Sequence, residues 1–299
     1  MSNNHIFWIA SYPKSGNTLL RSILVSLFFT NNGIFKLKML QYINQFEKTK
    51  LIYDNKKIFK NDFNKIADIA TFYKYLLKIQ EKEILNFSED FKFYKSHSGN
   101  FVIGGNNFTK KENTRGFIYM IRDPRDVCIS LSKHLNITID ESINYMGNDL
   151  QSLHWKESQK NVLFKEESRP SLFLSSWANH VNSWSLTDWN VPKLFIKFED
   201  LVYDKKNTVK KIVNFFSNKY GFKFNNIEEK VDNIIKTTEF EKFKNEEKNY
   251  GFDEAVSHNS FFSVGKKEQW IKILKNNQIK KIEKNFGKIM HKYGYQINS

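Results

Sequence analysis

Residues 5–29 read HIFWIASYPKSGNTLLRSILVSLFF, and this stretch decides the fold. The apolar, aromatic run from His5 to Tyr12 predicts a buried strand, and Asn17–Phe29 has the length and residue types of a helix. The start of a helix carries unpaired backbone N–H groups and the positive end of the macrodipole, and Gly16 lets an anion approach the backbone closely. Lys14 adds a full positive charge. The stretch therefore indicates a phosphate-binding loop, although a tight turn that exposes Lys14 is the simpler interpretation of these residues alone.

Strands and helices alternate along the rest of the chain. Further strands are predicted at Asp90–Ser96, Gly116–Arg122 and Lys193–Phe198. Helices are predicted at Pro124–His134, begun by Asp123 as N-cap, and at Thr208–Tyr220 and Asn276–Tyr293. This alternation predicts an α/β protein with a three-layer, P-loop-like fold. In such a fold a central, mainly parallel sheet is covered by helices on both faces, and ligands bind at the carboxyl ends of the strands.

Length and composition favour a single domain over residues 1–299. Hydrophobic residues make up 40% of the chain, which is enough for a large core, and neither a repeat nor a shift in composition divides it. Two long polar stretches, at about 33–89 and 135–171, interrupt the alternation. We expect both to be helical insertions rather than linkers.

The net charge limits the classes of binding partner, and the cysteine content limits the cellular compartments in which we expect the protein. The chain has 47 Lys and Arg against 32 Asp and Glu, and this net charge of +15 favours anionic small molecules or acidic acceptors. In the last third the lysines are interleaved with acidic residues, as on a solvated helix face rather than a nucleic-acid-binding arm. Cys128 is the only cysteine, which excludes an intramolecular disulfide, and no apolar run reaches the roughly 20 residues of a membrane span. We expect a cytoplasmic protein.

Two further motifs lie on or directly after predicted strands. Arg122 and Arg125 are two of only five arginines, and an arginine kept in a lysine-rich chain suggests bidentate phosphate binding. An Arg–Asp network that caps the following helix explains these residues equally well. Lys95 and His97 are two positions apart and so share one face of a strand. There an imidazole can accept a proton from a hydroxyl group while the lysine stabilises developing charge, whereas a surface histidine is the plainer interpretation.

Together these segments resemble the sulfotransferase family, enzymes that use 3′-phosphoadenosine 5′-phosphosulfate (PAPS). Residues 12–18, YPKSGNT, resemble the family's 5′-phosphosulfate loop, and residues 122–130, RDPRDVCIS, resemble its 3′-phosphate motif. Lys95-Ser96-His97 resembles its Lys-Thr-His strand. Residues 176–184 resemble its Ser-Trp-x-x-His-Val-x-x-Trp helix, and residues 198–200 its Tyr-Glu-Asp strand end.

The resemblance implies an activity and a set of site residues. It implies transfer of the sulfuryl group of PAPS to a hydroxyl group, or an amine, of a small-molecule, lipid or saccharide acceptor, leaving adenosine 3′,5′-bisphosphate (PAP) and using no metal. His97 would be the general base, and Lys14 and Lys95 would stabilise the transferring group. The residues that would bind the co-substrate are Lys14, Ser15, Gly16, Asn17, Thr18, Arg122, Ser130, Phe198, Thr238, Phe240, Gly265 and Lys266.

The sequence departs from the family pattern at three places, one of which is residues 266–270, which read KKEQW where the family usually has Gly-Asp-Trp. Leu19 stands where the family usually has a Trp that stacks on adenine. We therefore expect adenine either to bind more weakly or to pack on Phe198 and Phe240 instead. Near the C-terminal lid, residues 263–265 read SVG where the family usually has Arg-Lys-Gly. Two cations for the 3′-phosphate are therefore missing, and Lys266 or Lys267 could replace them.

Two other classes of function stay open at this point. One is a kinase or NTPase on the same strand–loop–helix design, which is disfavoured because Lys14 precedes Gly16 by two residues instead of following a Gly-x-x-x-x-Gly run. The other is a non-catalytic binder of anions or nucleic acid, suggested by the net charge. No nucleic-acid motif is present, so we expect no nucleic-acid partner. If the resemblance holds, the insertions at about 33–89 and 135–171 would form the acceptor site and set its specificity. The sequence itself indicates neither the acceptor nor the oligomeric state.

Overall fold

The computed structural model describes residues 4–47, 49–85, 89–153, 170–252, 265 and 268–297. The strands in these ranges are β1 Ile6–Ser11, β2 Lys92–Ser96, β3 Val102–Ile103, β4 Asn106–Asn107, β5 Thr114–Ile121, β6 Ser152–Leu153, β7 Leu172–Phe173 and β8 Lys193–Lys197. The α-helices are α1 Asn17–Phe29, α2 Thr49–Asp54, α3 Ile69–Ile79, α4 Lys82–Leu85, α5 Pro124–Leu135, α6 Ile139–Gly147, α7 Trp177–Ser185, α8 Phe198–Tyr203, α9 Lys205–Tyr220, α10 Ile227–Thr237, α11 Phe240–Tyr250, α12 Trp270–Ile273 and α13 Asn276–Lys292. Two 3₁₀ helices span Leu37–Tyr42 and Lys56–Lys65.

Four parallel strands form the central sheet, in the order β2-β1-β5-β8. The register pairs Ala10 with Ser96 on one side of β1 and Ser11 with Met120 on the other. Since the strands are parallel and in this register, their carboxyl ends meet at one edge of the sheet. This is the edge at which open α/β sheets bind their ligands, and the predicted fold class is confirmed.

Helices pack on both faces of the sheet because its inner strands are apolar on both faces. In β1, Trp8 and Ala10 belong to one buried cluster, whereas Phe7 and Ile9 belong to another. The first cluster includes side chains of α3, α5, α7 and α13, and the second includes side chains of α1, α9 and α10. All six residues of β1 are buried, which is why this strand is a continuous apolar run in the sequence.

The predicted elements around the sheet correspond closely to the observed ones. Helix α1 has the predicted bounds, and the Asp123 side chain accepts a hydrogen bond from the N–H of Arg125 at 2.9 Å, as expected of an N-cap. One assignment was wrong: Phe198 is not the last residue of a strand but the first residue of α8, because β8 ends at Lys197. Helix α9 begins at Lys205, three residues before the predicted start.

The two polar insertions contain more than helices. The stretch 33–89 holds both 3₁₀ helices together with α2, α3 and α4. The stretch 135–171 holds α6, but Ser152–Leu153 pairs with Leu172–Phe173 in a small antiparallel sheet that the sequence did not indicate. Residues 154–169 of that stretch lie outside the described residues. The single-domain organisation stays a prediction.

Candidate active site

The loop that joins β1 to α1 has the backbone of an anion site. Gly16 is the N-cap of α1, and no side chain caps the helix. The first N–H groups, which lack intrahelical acceptors in every α-helix, are therefore not bound by a capping side chain here. Gly16 has a φ of +96°, and a Cβ built on it would overlap Cδ2 of Phe198, so the loop requires glycine here. Lys14 also lies in the left-handed region, with a φ of +65°. Such a conformation costs free energy for a residue other than glycine and is common at functional sites.

The polar side chains of this loop differ in what they contact. Asn17 Nδ2 donates to Ile9 O and to Ser11 Oγ, both at 3.1 Å, so this side chain braces the end of β1. Asn17 would therefore contribute its backbone N–H, not its amide group, to an anion site. Ser15 is 1% exposed, and its Oγ has no hydrogen-bond partner within the described part of the chain. A hydroxyl in this position could donate to an anion held at the start of α1. Thr18 follows at 7% exposed.

His97 lies directly after β2 and contacts the end of β1. Its Nδ1 is 2.9 Å from Ser11 O and 3.3 Å from Ser11 Oγ. Because a carbonyl oxygen only accepts, Nδ1 carries a proton in this contact, and the lone pair of the neutral imidazole is on Nε2. Lys95 is on the same side of β2, two residues before, and is 4% exposed.

A second histidine fixes the backbone of the first. His180, on α7, donates from Nε2 to His97 O at 3.0 Å and accepts on Nδ1 from Tyr119 OH at 2.8 Å. Burial lowers the pKa of His180 to about 4, against the raising effect of its bond to His97. His180 is therefore neutral near pH 7, as a ring that both donates and accepts must be.

Arg122 reaches the same loop from the end of β5. Its Nη1 donates to Lys14 O at 3.1 Å, and its guanidinium carbon lies 4.3 Å from the ring centroid of Phe198. Arg122 and Phe198 are each 6% exposed. Burial lowers the pKa of Arg122, and nearby Asp126 and Glu199 raise it. Gly16, Phe198 and Arg122, which are far apart in sequence, thus form one packed group.

The neighbouring Arg125 has a different role. Its guanidinium bonds to Asp123 at 2.7 Å and to Glu283 at 2.8 Å, and it lies 3.7 Å from the ring of Trp270. The capping network that we considered for this motif therefore holds for Arg125, whereas Arg122 contacts the loop.

Asp126 joins the start of α5 to the C-terminal segment. Its carboxylate accepts from the N–H of Glu268 at 2.7 Å and from the N–H of Trp270 at 3.1 Å. Burial raises the pKa of Asp126, and the charge of Arg122 lowers it. Residues 268–270 are thereby attached to the first turn of α5, just after Arg122.

The remaining predicted residues lie on other elements. Ser130 is half-buried in the second turn of α5. Thr238 is 1% exposed and its hydroxyl donates back to Ile234 O at 2.7 Å, so this group is engaged by its own helix. Phe240, at the start of α11, packs on Gly265, where a Cβ would overlap the ring. Lys266 lies outside the described residues.

Glu199, which was not singled out as a site residue from the sequence, also helps to build this edge of the sheet. Glu199 accepts from the N–H of Asp123 and from Tyr295 OH, both at 3.0 Å, and so connects α8, the end of β5 and the C-terminal segment. Glu199 is part of the Phe-Glu-Asp motif at residues 198–200, which was its only indication in the sequence.

The described residues contain no group of three or more His, Cys, Asp or Glu placed to hold a metal ion, and no helix long and apolar enough to cross a membrane.

Fold and contacts together define the class: an α/β protein whose parallel strands bring a glycine-containing strand-to-helix loop, buried cations and an imidazole to one edge of the sheet. Sequence comparison then gives the family. The family described as the Sulfotransferase domain matches residues 5–294, and the chain belongs to this family.

Individual relatives match over shorter stretches. Mouse Sulfotransferase 1B1 is 28% identical over 133 residues, which cover 44% of this chain and 38% of that protein. The 3-alpha-hydroxysteroid sulfotransferase of Cavia porcellus is 29% identical over 170 residues, 55% of this chain and 50% of the relative. The Amine sulfotransferase of Oryctolagus cuniculus is 28% identical over 138 residues, 45% of this chain and 38% of the relative. The chain thus spans half or less of the length of these relatives.

Solved structures show the same fold over nearly the whole chain. Mouse sulfotransferase SULT7A1, complexed with PAP, gives a TM-score of 0.58 at 18% identity and covers 98% of this chain and 87% of that structure. Retinol dehydratase, in complex with androsterone and inactive cofactor PAP, gives 0.58 at 18% identity, covering 98% and 82%. At this level of identity the likeness establishes the fold.

Proposed function

We propose that this protein is a PAPS-dependent sulfotransferase that transfers the sulfuryl group to a hydroxyl group, or an amine, of a small-molecule, lipid or saccharide acceptor. Family membership supports the class of reaction, and the two solved neighbours contain PAP, the product that such a reaction leaves. One observation carries the proposal at the level of this chain. His97 and Arg122, from the ends of two different strands, both donate to backbone oxygens at the β1–α1 loop, those of Ser11 and Lys14.

The loop residues fit the phosphosulfate end of the co-substrate. An anion at the start of α1 would accept from the N–H groups that lack intrahelical acceptors, and the buried Ser15 hydroxyl would donate to it. Arg122, held against the same loop, would bind the 3′-phosphate together with Ser130. Among the aromatic residues proposed for the base, Phe240 is half-buried, whereas Phe198 is 6% exposed.

His97 is the proposed base because of its tautomer. With Nδ1–H donating to Ser11 O, Nε2 is the nitrogen that would take the proton of the acceptor. As it does so, the bond from the acceptor oxygen to sulfur forms, and the bond from sulfur to the 5′-phosphate oxygen breaks. Lys14 and Lys95 would offset the charge that develops on the sulfuryl and phosphate oxygens.

The acceptor class stays broad. The names of the relatives include a hydroxysteroid and an amine, which agrees with either kind of nucleophilic group. The compartment we propose is the cytoplasm. Cys128 is a buried free thiol, and burial raises its pKa to about 11, so it suits a reducing environment without being reactive.

The first test compares ligands by thermal unfolding. PAP at a hundredfold excess over its Kd should stabilise the protein by about 2.7 kcal/mol, and Mg-ATP should not. Arg122→Met should abolish the shift. Stabilisation by Mg-ATP alone would instead support a kinase or NTPase, and stabilisation by neither ligand would contradict the proposal.

The second test measures transfer of label from radiolabelled PAPS to a panel of hydroxyl and amine acceptors. The wild type should transfer label, and His97→Ala should lose transfer while PAP still shifts its melting temperature. His291→Ala, at an exposed histidine of α13, is the matched control and should behave as the wild type. Equal rates for His97→Ala and the wild type would remove the base assignment.

A further inference from the structure

We propose that Glu47, in the first polar insertion, is a positioning residue that holds the end of β2 and thereby sets the placement of Lys95 and His97. The inference deepens the proposed function and rests on it. It stands on hydrogen bonds that connect the insertion to this strand, described below.

The insertion extends the central sheet at its outer edge. Since β2 is an edge strand, only β1 pairs with it along most of its length. At Lys95, however, the N–H donates to Asn44 O at 2.9 Å, and the carbonyl accepts from the N–H of Phe46 at 2.8 Å. These two bonds form a parallel β-bridge between Gln45 and Lys95. The segment 44–47 therefore runs beside the end of β2.

Glu47 continues this contact with its side chain. Its Oε1 accepts a hydrogen bond from Ser96 Oγ and another, at 2.9 Å, from Ser98 Oγ. Ser98 N–H also donates to Ser96 Oγ at 2.9 Å. The two serines flank His97, so one carboxyl oxygen binds the chain on both sides of the proposed base.

Glu47 lies on the side of β2 opposite to the Lys95 side chain. Because side chains alternate along a strand, Ser96 points to the opposite side from Lys95. Glu47 binds on the Ser96 side, and its side-chain hydrogen bonds go to Ser96 and Ser98. Glu47, Ser96 and Ser98 are at most 2% exposed, which makes their hydrogen bonds insensitive to competition from water.

The three contacts around His97 are complementary. The imidazole bonds to Ser11 O, the carbonyl accepts from His180, and the flanking hydroxyls bind Glu47. The first two fix the ring and one backbone oxygen. The third contact fixes the path of the backbone through residues 96–98. Of these three contacts, it alone comes from the first polar insertion.

The hydrogen bonding of the Glu47 carboxyl group indicates which property of this side chain holds the end of β2. Burial raises the pKa of this carboxyl group, and its hydrogen bonds to Ser96 and Ser98 lower it in part. Its second oxygen, Oε2, is buried and has no partner among the residues that the structure describes. The role therefore needs an accepting oxygen at Oε1 and not a negative charge. An amide supplies that oxygen, and an unbranched apolar chain of the same length does not.

This reasoning predicts opposite results for two substitutions at one position. Glu47→Gln should retain most of the activity. Glu47→Met should lower kcat by about 10- to 100-fold, the order expected when a catalytic group is misplaced by about an ångström. The KM for PAPS and the Kd for PAP should change little in either variant, since Glu47 does not contact the β1–α1 loop. Ser98→Ala should show a smaller loss of kcat, and Ser26→Ala, which removes a buried hydroxyl of α1, is the matched control.

A readout that does not depend on activity completes the test. Hydrogen exchange, followed by mass spectrometry on peptides that cover residues 92–98, should be faster in Glu47→Met than in the wild type and unchanged in Glu47→Gln. Unchanged exchange in Glu47→Met, or a normal kcat despite faster exchange, would overturn the inference. If the wild type neither transfers label nor binds PAP, the proposed function fails, and the exchange experiment still decides whether Glu47 holds the end of β2.

Discussion

Replacing Gly16 by alanine tests the packing on which the geometry of the loop depends. At a φ of +96° an alanine costs about 1–2 kcal/mol. Its Cβ would also overlap Cδ2 of Phe198 and lie 3.0 Å from Cε2, and overpacking of this kind costs about another 1–3 kcal/mol. The buried ring lies 4.3 Å from the Arg122 guanidinium, so it cannot move away without disturbing that contact. We expect Gly16→Ala to lower the free energy of unfolding by about 2–5 kcal/mol and to weaken the binding of PAP.

Urea unfolding gives the free energy, and titration calorimetry with PAP gives the affinity of the same samples. Gly221→Ala is the matched control: its φ is +71°, and no atom lies within 4 Å of the added Cβ, so only the conformational cost of about 1–2 kcal/mol applies. Phe198→Leu should be less harmful in the Gly16→Ala background than in the wild type, because a smaller side chain relieves the overlap. The reasoning is refuted if Gly16→Ala costs no more than Gly221→Ala, or if the two substitutions at positions 16 and 198 are additive.

Two further predictions concern stability. Arg125→Met leaves the buried carboxylates of Asp123 and Glu283 without their cation and should cost about 3–5 kcal/mol, or about 6–10 °C in melting temperature. Lys210→Met, at the exposed pair with Glu228, should leave the melting temperature almost unchanged, and equal shifts would contradict the assignment. His180 has a folded pKa of about 4, below the unfolded value of 6.5, so the folded state binds fewer protons and stability is lost as the pH falls through this window. The wild type should lose about 1.4 kcal/mol per pH unit relative to His180→Gln, as measured by urea unfolding between pH 6.5 and pH 4, and parallel curves would refute the shift.

Most of the fold could be predicted because the signals that define it are local. The apolar run of β1, the helix Asn17–Phe29 and the N-cap at Asp123 are each visible within a few residues, and each was found where the sequence indicated. The positions of Lys95, His97 and Arg122 at strand ends follow from the same patterns. Since parallel strands end at one edge, the approximate assembly of the site could be predicted as well.

The contacts that orient the site residues could not be predicted, because they join residues of no local pattern. Glu47 lies in a polar stretch without interpretable periodicity, and only the pairing of that stretch with β2 brings it to Ser96 and Ser98. Asn17 looks like a phosphate ligand in the sequence, yet its amide braces β1. The direction of the Asn17 side chain depends on how α1 is oriented relative to the end of β1. No single residue in the sequence indicates that orientation.

The position of Phe198 changes the expectation for the adenine. In the sequence, Phe198 and Phe240 were equivalent substitutes for the missing stacking residue at position 19. In the structure, the Phe198 ring packs against the Arg122 guanidinium and against Gly16. It is 6% exposed and so offers little surface to the adenine base. Phe240 is half-buried at the start of α11 and packs against Gly265, the residue next to the proposed lid lysine. We therefore expect Phe240 to carry the aromatic contact with adenine, while Phe198 would hold Arg122, the cation that we propose for the 3′-phosphate.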